Sequence, residues 1–246
     1  MAKILSDKCV GCKSCQKYCS VDAIKYDADA KKCYIDQNEC VDCYICVRQQ
    51  KQFCPREAFA PTELDNYYKQ FAHVMSDPCE NHGVTGVTGR GTEEVKTNDV
   101  TGRVTKGRVG FCIDVGRPGV GCRLYDVEKI AMALAGAGVT LMDASHTPLA
   151  ALMTDLKTGK LKDDCLNTKM LSVIVEGNCD AKDFPAAMRA LLKVKDEIET
   201  VFSLGLIMRV DENCYAPMLD DLEALGIPKP FRGKVNVGLG KPLCTD

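Results

Sequence analysis

Residues 9–20 read CVGCKSCQKYCS, four cysteines spaced C-x2-C-x2-C-x3-C. The first three recur 31 residues later as Cys40, Cys43 and Cys46, and Cys54-Pro55 closes the second run. Strict repetition would put that closing cysteine at position 50, where Gln50 stands, so four residues have been added between Cys46 and Cys54. A cubane iron–sulfur cluster needs four soft thiolates around it. Three cysteines on one tight loop reach three irons of one cube. The fourth opens the next helix, too far round to close that cube, and ligates the other cluster instead. The spacing therefore predicts crossed ligation: Cys9, Cys12, Cys15 and Cys54 around a first cluster, Cys40, Cys43, Cys46 and Cys19 around a second. The rival reading is zinc, which takes paired C-x2-C arms rather than duplicated triplets.

Bulk properties narrow the classes. The chain has 246 residues, room for two domains, and a net charge of −2 without the basic surplus that nucleic-acid binding requires. No run of 18 apolar residues marks a membrane span. The opening MAKILSDKC lacks a secretory core, so a cytoplasmic location is expected. Sixteen cysteines in such a chain point to metal or free thiols rather than to a disulfide framework.

Residues 2–60 resemble the bacterial two-[4Fe-4S] ferredoxins. The resemblance implies two [4Fe-4S] clusters and low-potential one-electron transfer, a relay rather than a reservoir. Two features depart from that family. Ser20 stands where the family usually has proline, and VRQQKQF (47–53) lengthens the approach to Cys54 and should alter the outer face of the first cluster. Tyr18, Tyr44 and Phe53 are expected to pack beside the clusters.

The remaining residues divide at about 107. Residues 61–107 read as an irregular Gly/Thr-rich arm after one possible helix in PTELDNYYKQFAHVMSD. The piece GVTGVTGRGT within it suits backbone phosphate contacts, but it is not GxGxxG and no clear strand precedes it. An arm wrapped around a partner subunit is the better reading. Residues 108–246 alternate strand and helix patterns. GRVGFCIDV reads as a half-buried strand with Val109, Phe111, Ile113 and Val115 on one face. Residues 147–159 read as a helix with Thr147 at its N-cap and Gly159 past its end, and KVNVGLG as a last strand. Two β-α-β units, 108–143 and 170–210, predict an α+β sandwich with helices on one face of the sheet. A doubly wound α/β sheet is the alternative. Most of the eight cysteines outside the motif (33, 79, 112, 122, 165, 179, 214, 244) read as buried free thiols, with a third cluster built from them as the alternative. His146 in DASHTP has Asp143 nearby as a candidate partner.

No catalytic motif appears, so the expected role is an electron-relay subunit of an anaerobic multi-subunit oxidoreductase. Its partners would be a flavoprotein or metalloenzyme subunit and a low-potential electron donor or acceptor, with any flavin on the partner. The segment from GRGTEEVKTNDVTGR to GRVGFCIDVGRPGVGCRLYDVEK also resembles 6-hydroxynicotinate reductase-type iron–sulfur proteins. That resemblance implies ferredoxin-linked reduction of an N-heteroaromatic ring. A ligand-binding redox sensor is the third reading.

Overall fold

The computed structural model describes residues 1–86, 102–117, 119–213 and 215–228. The duplicated cysteine pattern is matched by a duplicated backbone. Strand β1 (Ala2–Ile4) pairs antiparallel with β4 (Phe59–Pro61), and β2 (Ile24–Asp27) with β3 (Lys32–Ile35). The registers are copies. Ala2 faces Pro61 as Cys33 faces Tyr26, and Ile4 faces Phe59 as Ile35 faces Ile24. Left-handed residues repeat with them: Gly11 (φ 66°) and Asp42 (φ 51°), Lys13 (63°) and Tyr44 (54°), Asp22 (52°) and Glu57 (45°). The last pair is offset by four residues more than the others, the length added before Cys54. That addition folds as a short helix α1 (Ile45–Arg48) and a 3-10 turn (Gln50–Gln52), held by Gln50, whose Oε1 accepts the Phe59 N–H at 2.8 Å.

Beyond residue 61 the expected irregular stretch begins with a real helix. Asn66 caps α2 (Tyr67–Ser76), its side chain accepting the Lys69 N–H at 2.9 Å. Phe71, Ala72 and Met75 of α2 sit in the larger hydrophobic core. The GVTGVTGRGT piece lies outside the described residues from position 87 onward, as does KVNVGLG.

The second core is built on a four-stranded sheet in the order β12 (Phe202–Ile207), β5 (Arg108–Val115), β11 (Val173–Asp180), β7 (Thr140–Leu141). Each neighbouring pair in it is antiparallel, and a separate two-stranded sheet pairs β6 (Cys122–Arg123) antiparallel with β10 (Lys169–Met170). Helix α3 (Leu124–Gly136) lies between β5 and β7 in the chain, and α4 (Phe184–Val194) between β11 and β12. These are two interleaved β-α-β units, each with a strand of the other between its own two. Val109, Phe111, Ile113, Val115, Val173 and Val175 face Val127, Ile130, Leu134, Met188 and Leu191 of the helices, all within one core. Helix α5 (Met218–Ala224) adds Leu222 to the same core.

Two expectations need correcting. Strand β5 is not half-buried, because Gly110 and Cys112 on its second face are buried as well. Cys112 packs there with Ile174 and Met142, and Val104 lies against Gly110. Residues 147–159 are not a helix. They form a 3-10 turn (Pro148–Leu152) followed by the hairpin of β8 (Met153–Asp155) and β9 (Lys160–Leu161). Asp155 accepts the Lys157 N–H at 2.9 Å and the Thr158 hydroxyl at 3.0 Å, so its side chain folds the turn locally and competes with helix. Gly159, read as a helix stop, is the hairpin glycine (φ +75°), and a Cβ there would run into the backbone of Ala131 in α3. Among the described residues no helix is long and apolar enough to cross a membrane.

Candidate iron–sulfur site

The first cysteine loop turns because Gly11 is left-handed beside the Lys31 carbonyl, where no side chain fits. It delivers Cys9, Cys12 and Cys15 to a pocket that Cys54 also lines, together with Phe53, Phe59 and Ile4 among others. The pocket holds about 330 Å³ of atom-free space, its open mouth included. Cys12 is exposed at the rim and Cys15 is buried at the base. Burial pushes the Cys15 thiol up to about 12, with neighbouring Cys33 adding to the effect, whereas the Ser14 hydroxyl and N–H pull the Cys12 thiol down.

The second loop brings Cys40, Cys43, Cys46 and Cys19 into mutual electrostatic contact. The Cys46 thiol is pushed up to about 12 by burial first, then by Cys40, Cys43 and Cys19. Burial and then the Asp42 carboxylate raise Cys40 to about 12, and burial raises Cys43. Iron binding in such a place displaces thiol protons.

Backbone N–H groups aim at the sulfurs in matching pairs. Ala23 N–H donates to Cys19 Sγ at 3.2 Å and Ala58 N–H to Cys54 Sγ at 3.4 Å, each from four residues on. Cys33 N–H donates to Cys9 Sγ at 3.4 Å. The donor set, four thiols around a pocket with N–H groups turned toward sulfur, fits a [4Fe-4S] cluster. Among the described residues no three His, Cys, Asp or Glu side chains converge closely enough to hold one metal ion.

The aromatic residues lie where the sequence put them. Phe53 lines the first pocket and Tyr18 stacks on it, centroids 4.7 Å apart. Tyr44 packs beside the second loop against His73 of α2, centroids 4.5 Å apart. That helix roofs the second loop. His73 Nδ1 is 2.6 Å from the Asp42 carbonyl oxygen, and Lys69 donates to the carbonyls of Gln37 (2.6 Å) and Cys40 (3.2 Å). Arg48 ties the same loop to Asp77 at 2.6 Å and donates to the Cys43 carbonyl. The sheet region joins in: Glu39 pairs with Arg123 at 2.6 Å and with Lys169, and Leu171 packs into the cluster-region core.

Sequence reading missed two residues at the site. Asp42 is fully buried in the second loop, and its signal was a charged residue between two ligand cysteines. Cys33, grouped with the free thiols, lines the first pocket. Of the other non-motif cysteines, 112, 122, 165 and 179 are buried, Cys79 is exposed against expectation, and Cys214 and Cys244 lie outside the described residues. Cys79 follows the end of α2 in a turn where its N–H donates to Asp77, which leaves the thiol outside. His146 and Asp143 do pair, at 2.9 Å, but on an exposed loop where Asp143 also accepts from Ser145.

Comparison with known proteins bears on the N-terminal segment. A family model described as a 4Fe-4S binding domain matches residues 2–25. The archaeal-type glutamate synthase (NADPH) of Dehalococcoides mccartyi is 31% identical over 98 residues, 37% of this chain and 19% of that protein. The protein of the same name from Thermotoga maritima is 33% identical over 66 residues, 27% of this chain and 12% of its own length. The chain thus covers about a fifth or less of these relatives. No solved structure matches. The N-terminal segment is a ferredoxin-type 4Fe-4S binding segment, which supports an iron–sulfur electron-transfer role.

Proposed function

We propose that this chain is a two-cluster electron relay and the electron-transfer subunit of a larger oxidoreductase. Cys9, Cys12, Cys15 and Cys54 hold one [4Fe-4S] cluster, and Cys40, Cys43, Cys46 and Cys19 hold the other. The observation that carries the reading is the pocket that joins Cys54 to the first loop, leaving Cys19 with the second. The clusters supply one-electron chemistry when bound. The chain's own residues bury the ligands, orient N–H groups toward sulfur and roof the second site with α2.

The larger context is supported by the relatives, which carry NADPH in their names and are several times longer than the stretch they share. The natural partner is therefore a flavoprotein or metalloenzyme subunit that exchanges single electrons with this chain.

The test is anaerobic purification from the native host, with iron, sulfide and flavin counted and co-purifying chains identified. Eight irons and eight sulfides per chain, no stoichiometric flavin and a larger redox partner are expected. Zinc in place of iron would overturn the cluster reading. A stoichiometric flavin on the isolated chain would instead support a reductase acting by itself, as the ring-reductase resemblance implies. The crossed ligation has its own check: Cys19→Ala should remove the cluster of Cys40, Cys43 and Cys46, read by EPR.

A further inference from the structure

The first pocket has a fifth sulfur in its wall. Cys33 lies in the middle of β3, 4% exposed, and lines the pocket with Cys9, Cys12, Cys15 and Cys54. Its thiol shares that lining with the Cys15 thiol, and its own N–H donates to Cys9 Sγ at 3.4 Å. A buried thiol that merely filled core space would not line the space those four sulfurs surround.

The duplication supplies an internal comparison. The residue 31 positions before Cys33 is Ala2, which holds the corresponding place in β1 with the same register toward its partner strand and is 1% exposed. The chain thus contains two near-copies of one site, with a sulfur in the wall of the first and a methyl group in the wall of the second.

We propose that Cys33 is a reserve ligand of the first cluster, able to take the iron held by Cys15. This rests on the cluster reading above. With a cluster bound, the Fe–S bond to Cys15 would break as an Fe–S bond to Cys33 formed. The proton of the Cys33 thiol would pass to the departing Cys15 thiolate, which lines the same pocket. The cluster keeps its charge and oxidation state, so no oxidant or reductant is needed.

The experiment counts iron and records EPR of anaerobically prepared variants of the full chain. Cys15→Ala should retain close to the wild-type eight irons, with an altered signal for the first cluster. Cys15→Ala/Cys33→Ala should fall to four. Cys46→Ala, the same change in the second copy where Ala2 stands, should also fall to four, and adding Ala2→Cys to it should restore iron. The signal of the untouched cluster reports folding in every variant. Equal iron in Cys15→Ala and the double variant would overturn the proposal while leaving the relay intact. A wild-type chain without iron would instead overturn the cluster reading itself.

Discussion

On the two-cluster reading proposed above, Asp42 offers a way to shift one cluster and leave its twin nearly alone. Its carboxylate is fully buried, 3.7 Å from Cys40 Sγ, with the Lys69 ammonium of α2 at 3.7 Å and the N-terminal ammonium of Met1 at 4.0 Å. The matching position in the first loop is Gly11, which has no side chain at all. Replacing Asp42 by Asn keeps an acceptor for the Ala2 N–H, now at 3.2 Å, and removes the charge. A full unit charge on that sulfur would feel roughly 4–5 kcal/mol at an effective dielectric constant of about 20. The added electron is spread over the whole cluster, and Lys69 offsets part of the field, so about 1 kcal/mol remains. For a one-electron couple that is on the order of 40–60 mV, and the sign is upward, because the reduced cluster loses a repulsive neighbour. An EPR-monitored redox titration should show the second cluster's potential rising by that amount and the first moving much less. Equal shifts in both, or a shift of the first alone, would refute the reasoning, since the two loops differ at this place by one carboxylate.

Gly11→Ala should cost the first site its occupancy while the second keeps its iron. The left-handed φ costs ~1 kcal/mol, and the Lys31 carbonyl leaves no room for a Cβ; iron counting with EPR reads it. Phe184, fully buried with its ring 6.0 Å from that of Phe111, anchors α4 to the sheet. Phe184→Ala should cost about 3–5 kcal/mol in urea unfolding followed by far-UV circular dichroism. Glu39→Gln tests the contact between the cluster region and the sheet region. The hydrogen bond from Lys169, with Lys169 and Arg123 charges beside it, holds the Glu39 carboxyl below the usual carboxylate range. A depressed folded pKa means the stabilisation is present above the ordinary value of 4.5 and is lost as pH falls through the lower folded value. The wild type should therefore be more stable than Glu39→Gln at pH 7, and the gap should close below pH 4.5; a gap of the same size throughout would show that the ion pair contributes nothing.

The legible parts of this sequence were those where chemistry imposes a spacing. Cysteine intervals in the first 60 residues set the expectation for which sulfurs lie together, because a tight loop and a distant fourth ligand leave few arrangements, and Cys9, Cys12, Cys15 and Cys54 do line one pocket. Periodicity placed β5, α3, β11, α4 and β12, since each has one apolar face against a common core. It failed at 147–159, where Asp155 and Gly159 write a turn over a helical pattern. It failed also on the second face of β5, because what covers a strand is decided by distant chain such as Val104. Asp42 and Cys33 escaped for the same reason. Nothing in the local sequence says that an acid beside Cys40 will be sealed under α2, or that a hairpin cysteine will line the first pocket.

The two copies of the site lie in different surroundings, and on the two-cluster reading that difference would give a relay a direction. The first pocket opens outward past exposed Cys12, with Lys13 and Arg56 at its lining. The second is closed by Lys69 and His73 of α2, by Arg48 on Asp77, and by Glu39 on the two basic residues of the sheet region. A symmetric duplication would offer both clusters equally to a partner. Here the helix that follows the ferredoxin-type segment joins the core of the sheet domain through Phe71, Ala72 and Met75, and its opposite side takes the second loop. On the two-cluster reading proposed above, the sheet region covers the second cluster and leaves the first the more open of the two to an outside partner. On that reading burial and the Asp42 charge both disfavour added negative charge at the covered cluster, which would make it the lower-potential station of the two.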